Sequence, residues 1–282
     1  MTWAIGVAVG FYLCILVLLW IFESRLIYFP GQQRTLVAPP AQLELPVERV
    51  EFSTDDEITL VGWAMPAGEN STGLWLLICH GNAGNLSEFD RPLHYVGLRR
   101  LGLSLLAYDY RGYGESGGAP SEQGLYRDAD AAYRYLRRTR GVPADRIVVF
   151  GHSLGSAVAI DLASRAPAAG LIVEGALTSA VDRGQELYPY IPVRRLARSR
   201  FGSLDKVAGI SVPKLFLHAT GDDVIPLAHG RRLFEAAREP KTFVELEGGH
   251  ADAFDVDSAR YYASIARFLT VLESSSRAQR GT

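Results

Sequence analysis

The sequence predicts an α/β protein: a mostly parallel eight-stranded sheet flanked by helices, behind a single N-terminal transmembrane helix. Three observations predict it. Apolar runs of strand length alternate with longer stretches of helical period over most of the chain. A run of about 20 uncharged residues opens the chain. Gly151-His152-Ser153-Leu154-Gly155 joins a strand-like run directly to a helix-like one. The 282 residues are 48% apolar and 21% charged, within the globular range. Basic and acidic side chains number 29 and 31, a formal charge of -2, and so weak a field excludes the electrostatic footprint of a nucleic-acid binder. Cys14 and Cys79 stand in membrane-like and buried-strand-like contexts, so neither a disulfide framework nor a Cys-based metal site is expected.

Trp3 to Phe22 carry no charge, and about 20 residues at 1.5 Å rise cover the ~30 Å hydrocarbon core. Trp3 at one end and Trp20, Phe22, Tyr28 and Phe29 at the other suit the headgroup level. A cleaved signal peptide calls for a basic leader and small residues at the cleavage positions, which Phe22-Glu23-Ser24-Arg25-Leu26 does not offer. Residues 1–25 are therefore read as an uncleaved membrane anchor. Arg25 and Arg34 follow the span and no basic residue precedes it, which leans toward a cytoplasmic domain. A ratio of 26 Arg to 3 Lys leans toward a GC-rich bacterium, hence an inner membrane.

Residues 26–46, a Pro/Gly-containing connection, join the anchor to a domain over 47–273. Strands are expected at 47–52, 58–65, 74–79, 104–108, 146–150, 171–174, 214–218 and 242–246. Only the Asp55-Asp56 turn separates the first two, which suits an antiparallel hairpin at the sheet edge, and every later connection calls for a crossover helix. Helices fit at 87–100, 122–138, 154–165, 226–237 and 258–272. Ser121 is placed to cap the second, Gly141 to follow its end, and Pro226 to open the fourth. The polar tail, 274–282, is expected to fray. Residues 178–212 exceed a typical connection and are expected to cap a site and shape its pocket. Arg194, Arg195, Arg198 and Arg200 stand there among Ile191, Val193, Leu196 and Phe201. That mixture fits a solvated surface helix better than one resting on anionic headgroups.

Two segments match Gly-x-Ser-x-Gly. Ser153 lies between the apolar run Ile147-Val148-Val149-Phe150 and a helix beginning at Leu154, where a tight strained turn lifts a serine oxygen clear of the sheet. Ser116 is followed by Gly117-Gly118-Ala119-Pro120, which no helix uses as its first turn. Ser153 is the candidate nucleophile. It needs a base, and in a strand-turn-helix architecture the partners follow in the order Ser, acid, His. Of six histidines only His250, in Gly248-Gly249-His250 beyond the last strand, fills that slot; His152 reads as a packing residue. Asp222 and Asp223 follow the strand at 214–218. Asp222 is chosen as the acid because Asp223 is better placed to cap the next helix, with Asp223 and then Glu174 as alternatives. The amides of Leu154 and Asn82, the latter in the Gly-rich His80-Gly81-Asn82-Ala83-Gly84-Asn85 loop, are the expected oxyanion donors.

These residues, together with Tyr108-Asp109-Tyr110-Arg111-Gly112-Tyr113-Gly114-Glu115-Ser116, resemble the α/β-hydrolase superfamily over about residues 26–272. With one N-terminal anchor, the chain is most similar to membrane-anchored α/β-hydrolase domain-containing proteins, a group that includes lipid hydrolases and protein depalmitoylases. The resemblance implies an α/β-hydrolase fold, a Ser153-Asp222-His250 triad and cleavage of esters or thioesters; a span that places the site beside lipid points to amphipathic acyl substrates, and the triad chemistry requires no metal or organic cofactor. The rival expectations are an inactive binding or scaffold protein on the same fold, and a serine peptidase or perhydrolase.

Overall fold

The computed structural model describes residues 2–88 and 90–280, with side chains as far as residue 274. Its strands are β1 (Glu48–Ser53), β2 (Thr59–Met65), β3 (Trp75–Cys79), β4 (Ser104–Tyr108), β5 (Ile147–His152), β6 (Gly170–Glu174), β7 (Lys214–Ala219) and β8 (Lys241–Leu246). They form one sheet in the order β1-β2-β4-β3-β5-β6-β7-β8. β1 and β2 make the expected edge hairpin, with Val50 opposite Gly62. β2 also runs antiparallel to β4, and the remaining neighbours are parallel. The expected crossover helix is missing between β2 and β3 because those strands are antiparallel in direction, so a short turnabout over 66–74 suffices.

The helices are α1 (Thr2–Ile21), α2 (Glu23–Ile27), α3 (Arg91–Arg100), α4 (Glu122–Arg134), α5 (Leu154–Arg165), α6 (Ala180–Leu187), α7 (Val193–Leu196), α8 (Ser203–Val207), α9 (Leu227–Ala236), α10 (Ala253–Val256) and α11 (Ser258–Arg280). Alternate side chains of each strand face opposite ways. Ile147 and Val149 of β5 pack in the layer of α4, α5 and α9, with Leu125, Val158 and Leu233. Val148 and Phe150 pack in the layer of α3 and α11, with Leu98, Ile265 and Phe268. Burying both faces explains why the central strands read as continuous apolar runs. No residue of α1 is buried.

Ser121 caps α4 by accepting from the Gly124 amide at 3.1 Å, and Gly141 follows its π-helical extension (Tyr135–Thr139) with φ +66°. Three boundaries differ from expectation. α3 begins at Arg91, not residue 87. Asn85 Oδ1 accepts from the Ser87 amide and hydroxyl at 2.9 and 2.6 Å, and Arg91 donates to the Ala83 and Asn85 carbonyls, so side-chain bonds hold this stretch as turns. Pro226 stands just before α9. α11 continues past residue 272 to Arg280.

Residues 178–212 fold into α6, α7 and α8 and seat the segment that leaves α1. Glu23 accepts from the Arg198 amide at 2.9 Å, the Arg198 guanidinium at 2.9 Å and the Ser199 amide at 2.8 Å. Arg198 also covers the Trp20 ring at 4.9 Å, and Tyr28 meets Phe201 edge-on at 6.3 Å.

Candidate active site

β5 runs into α5 through a single residue. Ser153 takes φ 54° and ψ -123°, a region that non-glycine residues enter only under constraint. The glycines around it admit the turn. A Cβ on Gly155 would stand 2.0 Å from the Cys79 carbonyl oxygen, and one on Gly151 would stand 2.3 Å from the Gly155 carbonyl oxygen. The Ser153 amide donates to the Glu174 carbonyl at 3.0 Å, tying the turn to β6.

The loop after β8 brings His250 over this turn. His250 Nε2 lies 2.8 Å from Ser153 Oγ, and His250 Nδ1 lies 2.7 Å from Asp222 Oδ2. Asp222 is buried, and its other oxygen accepts from the Val224 and Ile225 amides at 3.0 and 2.7 Å. Burial alone would raise its pKa. Hydrogen bonds from His218 and His250, the charge of His250 and the Ile225 amide outweigh that and hold the carboxyl well below the usual range. The structure thus brings Ser153, His250 and Asp222 together. Asp223 is exposed and does not cap α9, whose N-terminus has no side-chain cap. The amide pair after Asp222 had already been taken by Asp222 itself.

Glu174, the remaining alternative acid, is turned into another network. Its Oε2 accepts from the Tyr261 hydroxyl at 2.8 Å, and that hydroxyl lies 3.0 Å from His94 Nε2. Burial, helped by the charge of Asp222, pushes Glu174 up to about 7. Burial also lowers His94 to about 3.

Loop 80–83 passes against the nucleophile: a Cβ on Gly81 would lie 3.4 Å from Ser153 Cβ. The Asn82 side chain donates to the Ile27 carbonyl at 3.0 Å, and the residue lines the cleft beside Ser153. Leu154 is the first residue of α5. A cleft of about 400 Å³ opens on Ser153 and His250, between apolar Tyr95, Phe150 and Phe254 and polar His94, Glu174 and Asp252. Among the described residues none from 178–212 lines it, so that segment does not shape this pocket as expected; it is occupied in holding the N-terminal helices. Ser116 is buried, with its hydroxyl donating to the Asp109 carbonyl at 2.8 Å and accepting from the Val61 amide at 2.9 Å. Among the described residues no group of three His, Cys, Asp or Glu gathers as metal ligands would.

Two contributors escaped the sequence reading. His152 is more than packing: its Nε2 meets the His250 carbonyl oxygen at 2.8 Å, and burial followed by the nearby His250 lowers its pKa to about 3. An uncharged imidazole with a protonated Nε2 donates there. The second is the segment that follows α1. Phe29 pairs with Ala83 as a short parallel bridge, its amide donating to the Asn82 carbonyl and its carbonyl accepting from the Gly84 amide, both at 2.9 Å. The adjacency of His152 to Ser153 was a signal for the first; no local pattern signals the second.

The family model for Serine aminopeptidase, S33 matches residues 72–204. An uncharacterized protein of Mycobacterium tuberculosis is 40% identical over 258 residues, covering 91% of this chain and 90% of that one. An alpha/beta hydrolase domain-containing protein of Arabidopsis thaliana, WAV2, is 31% identical over 270 residues, covering 88% of this chain and 87% of that one. The chain belongs to the α/β-hydrolase family. Among solved structures this α/β-hydrolase is similar in fold to a Pyrococcus furiosus esterase, with TM-score 0.70 and 19% identity over 85% of this chain and 98% of that one.

Proposed function

We propose that this hydrolase is a membrane-anchored serine esterase or thioesterase acting on amphipathic acyl substrates. The observation that carries the reading is the continuous relay from Ser153 Oγ through His250 to Asp222, at 2.8 and 2.7 Å. His250 takes the Ser153 proton as the oxygen attacks the acyl carbon, and Asp222 holds Nδ1–H so that Nε2 is the free base. The developing oxyanion is met by the Leu154 and Asn82 amides. His250 then protonates the leaving alcohol or thiol, leaving an acyl-serine. Water, deprotonated by the same imidazole, attacks the acyl-serine and releases the acid and Ser153.

The anchor reading rests on α1, a 20-residue apolar helix without a charged or buried side chain, which parks the cleft beside lipid; Arg25 beyond the span favours the cytoplasmic side. The match to the serine aminopeptidase family model favours amide cleavage as a second reading. A series of p-nitrophenyl esters, acyl thioesters and aminoacyl amides offered to the full chain in detergent tests both. Ester or thioester turnover that disappears in Ser153→Ala supports the proposal. Turnover confined to aminoacyl amides would favour the second reading, and turnover unchanged in Ser153→Ala would refute both.

A further inference from the structure

α1 is not the only apolar surface on its side of the molecule. Between α6 and α7 the chain makes a blunt tip in which Leu187, Tyr188 and Tyr190 are 53%, 57% and 89% exposed. The tip touches the anchor midway along it, where the Tyr12 hydroxyl donates to the Tyr190 carbonyl at 2.7 Å. Tyr12 precedes the end of α1 at Ile21 by about 13 Å of helix rise. Whatever medium surrounds that stretch of α1 therefore surrounds the tip.

Irregular backbone enters hydrocarbon only when its polar groups are satisfied within the protein, since each stranded one costs several kcal/mol. The tip meets that condition in part, the Tyr190 amide lacking a partner among the described residues. Gln185 Nε2 reaches the carbonyls of Tyr188, Pro189 and Ile191 at 3.3, 3.4 and 3.0 Å, and Tyr12 takes the carbonyl of Tyr190. The Tyr188 and Ile191 amides donate to the Gly184 and Tyr188 carbonyls, both at 3.0 Å, while Pro189 and Pro192 have no N–H to satisfy. Glu186 turns aside to His229 at 2.9 Å. Immediately beyond the tip stand the exposed Arg194, Arg195, Arg198 and Arg200, with Arg198 over Trp20. Apolar tip, then basic belt beside an interfacial Trp, is the layering of a surface that enters a leaflet and meets phosphate at its rim.

We infer that the Leu187–Ile191 tip is a second membrane contact, inserted in the acyl region of the leaflet alongside α1, with the following arginines at the lipid phosphates. The inference rests on the reading of α1 as a membrane anchor. It replaces the expectation of a solvated surface helix, and it gives residues 178–212, which do not line the cleft, a role in fixing the domain's attitude to the bilayer. The occupant is lipid and needs no protein partner.

Nitroxide labels test it in vesicles of zwitterionic and anionic phospholipid, with the full chain in a Cys14→Ala background; Cys79 is buried. Tyr190→Cys reports the tip, Val9→Cys reports α1, and Glu69→Cys, exposed at the opposite end of β3, reports water. The expected result is a severalfold higher relaxation by oxygen over a nickel chelate at position 190 than at 69, close to the ratio at 9. A position 190 that matches 69 while 9 reports lipid overturns the insertion and leaves the anchor standing. If 9 also matches 69, the anchor reading falls and the insertion with it. Gln185→Leu strands the Pro189 carbonyl, which has no other donor among the described residues, while the Tyr188 and Ile191 carbonyls keep the Ile191 and Val193 amides. It should move 190 toward the value at 69 without changing 9, and a 190 value that stays put would refute the part assigned to Gln185.

Discussion

Ser153 holds a backbone conformation that costs about 1–3 kcal/mol for a residue with a side chain, and the bonds from its amide to Glu174 and to its carbonyl from Ser156, 3.0 and 2.9 Å, keep it there. Ser153→Gly should therefore gain roughly 1 kcal/mol of stability, read as a raised unfolding midpoint, while losing all turnover. At the acid position two adjacent carboxylates make a clean comparison. Asp222→Asn should lower kcat by about 10⁴-fold, because the amide favours the wrong imidazole tautomer, whereas Asp223→Asn should leave it nearly unchanged. Glu174 offers a stability test. Below 4.5, its ordinary value, its carboxyl is neutral folded and unfolded alike. As pH rises to about 7 the unfolded chain releases a proton that the fold retains, so stability falls, by about 3 kcal/mol at the limit. Urea midpoints measured near pH 5 and near pH 8 should separate less in Glu174→Gln than in the wild type.

At the scale of elements, the segment after α1 and the loop beside Ser153 are tied together. The Ile27–Phe29 stretch bonds Asn82 by side chain and main chain and Gly84 by main chain, so on the proposed mechanism the Asn82 amide is aimed in part by the segment that follows α1. Asn82→Ala keeps the amide and removes the tie to Ile27. Its expected signature is a fall of about tenfold in kcat with KM nearly constant, equivalent to about 1.4 kcal/mol of transition-state stabilisation. A normal kcat would show that the remaining bonds, including that from the Tyr113 hydroxyl to the Asn82 carbonyl at 2.9 Å, suffice. This coupling was illegible in the sequence because Phe29 and Ala83 meet through long-range pairing that no local period encodes. The strands, by contrast, were legible almost to the residue: strands buried on both faces must be apolar throughout and must alternate with helices. The start of α3 was not, because the Asn85 and Arg91 side chains override a helical period.

For the whole molecule, the relay was legible because chemistry narrows the choices sharply. One Gly-x-Ser-x-Gly sits between a strand and a helix, and one histidine follows the last strand in the required order. The part played by residues 178–212 was not legible, since an insertion of that length reads as a lid until the glutamate that receives it, Glu23, is seen to lie in the N-terminal segment. Treating the full chain with a fluorophosphonate and mapping the adduct by peptide mass spectrometry tests the central claim most directly. The account predicts a single phosphonylated residue, Ser153, with labelling strongly slowed in His250→Ala. An adduct on Ser116 or any other serine, or equal labelling after His250 is removed, would contradict it.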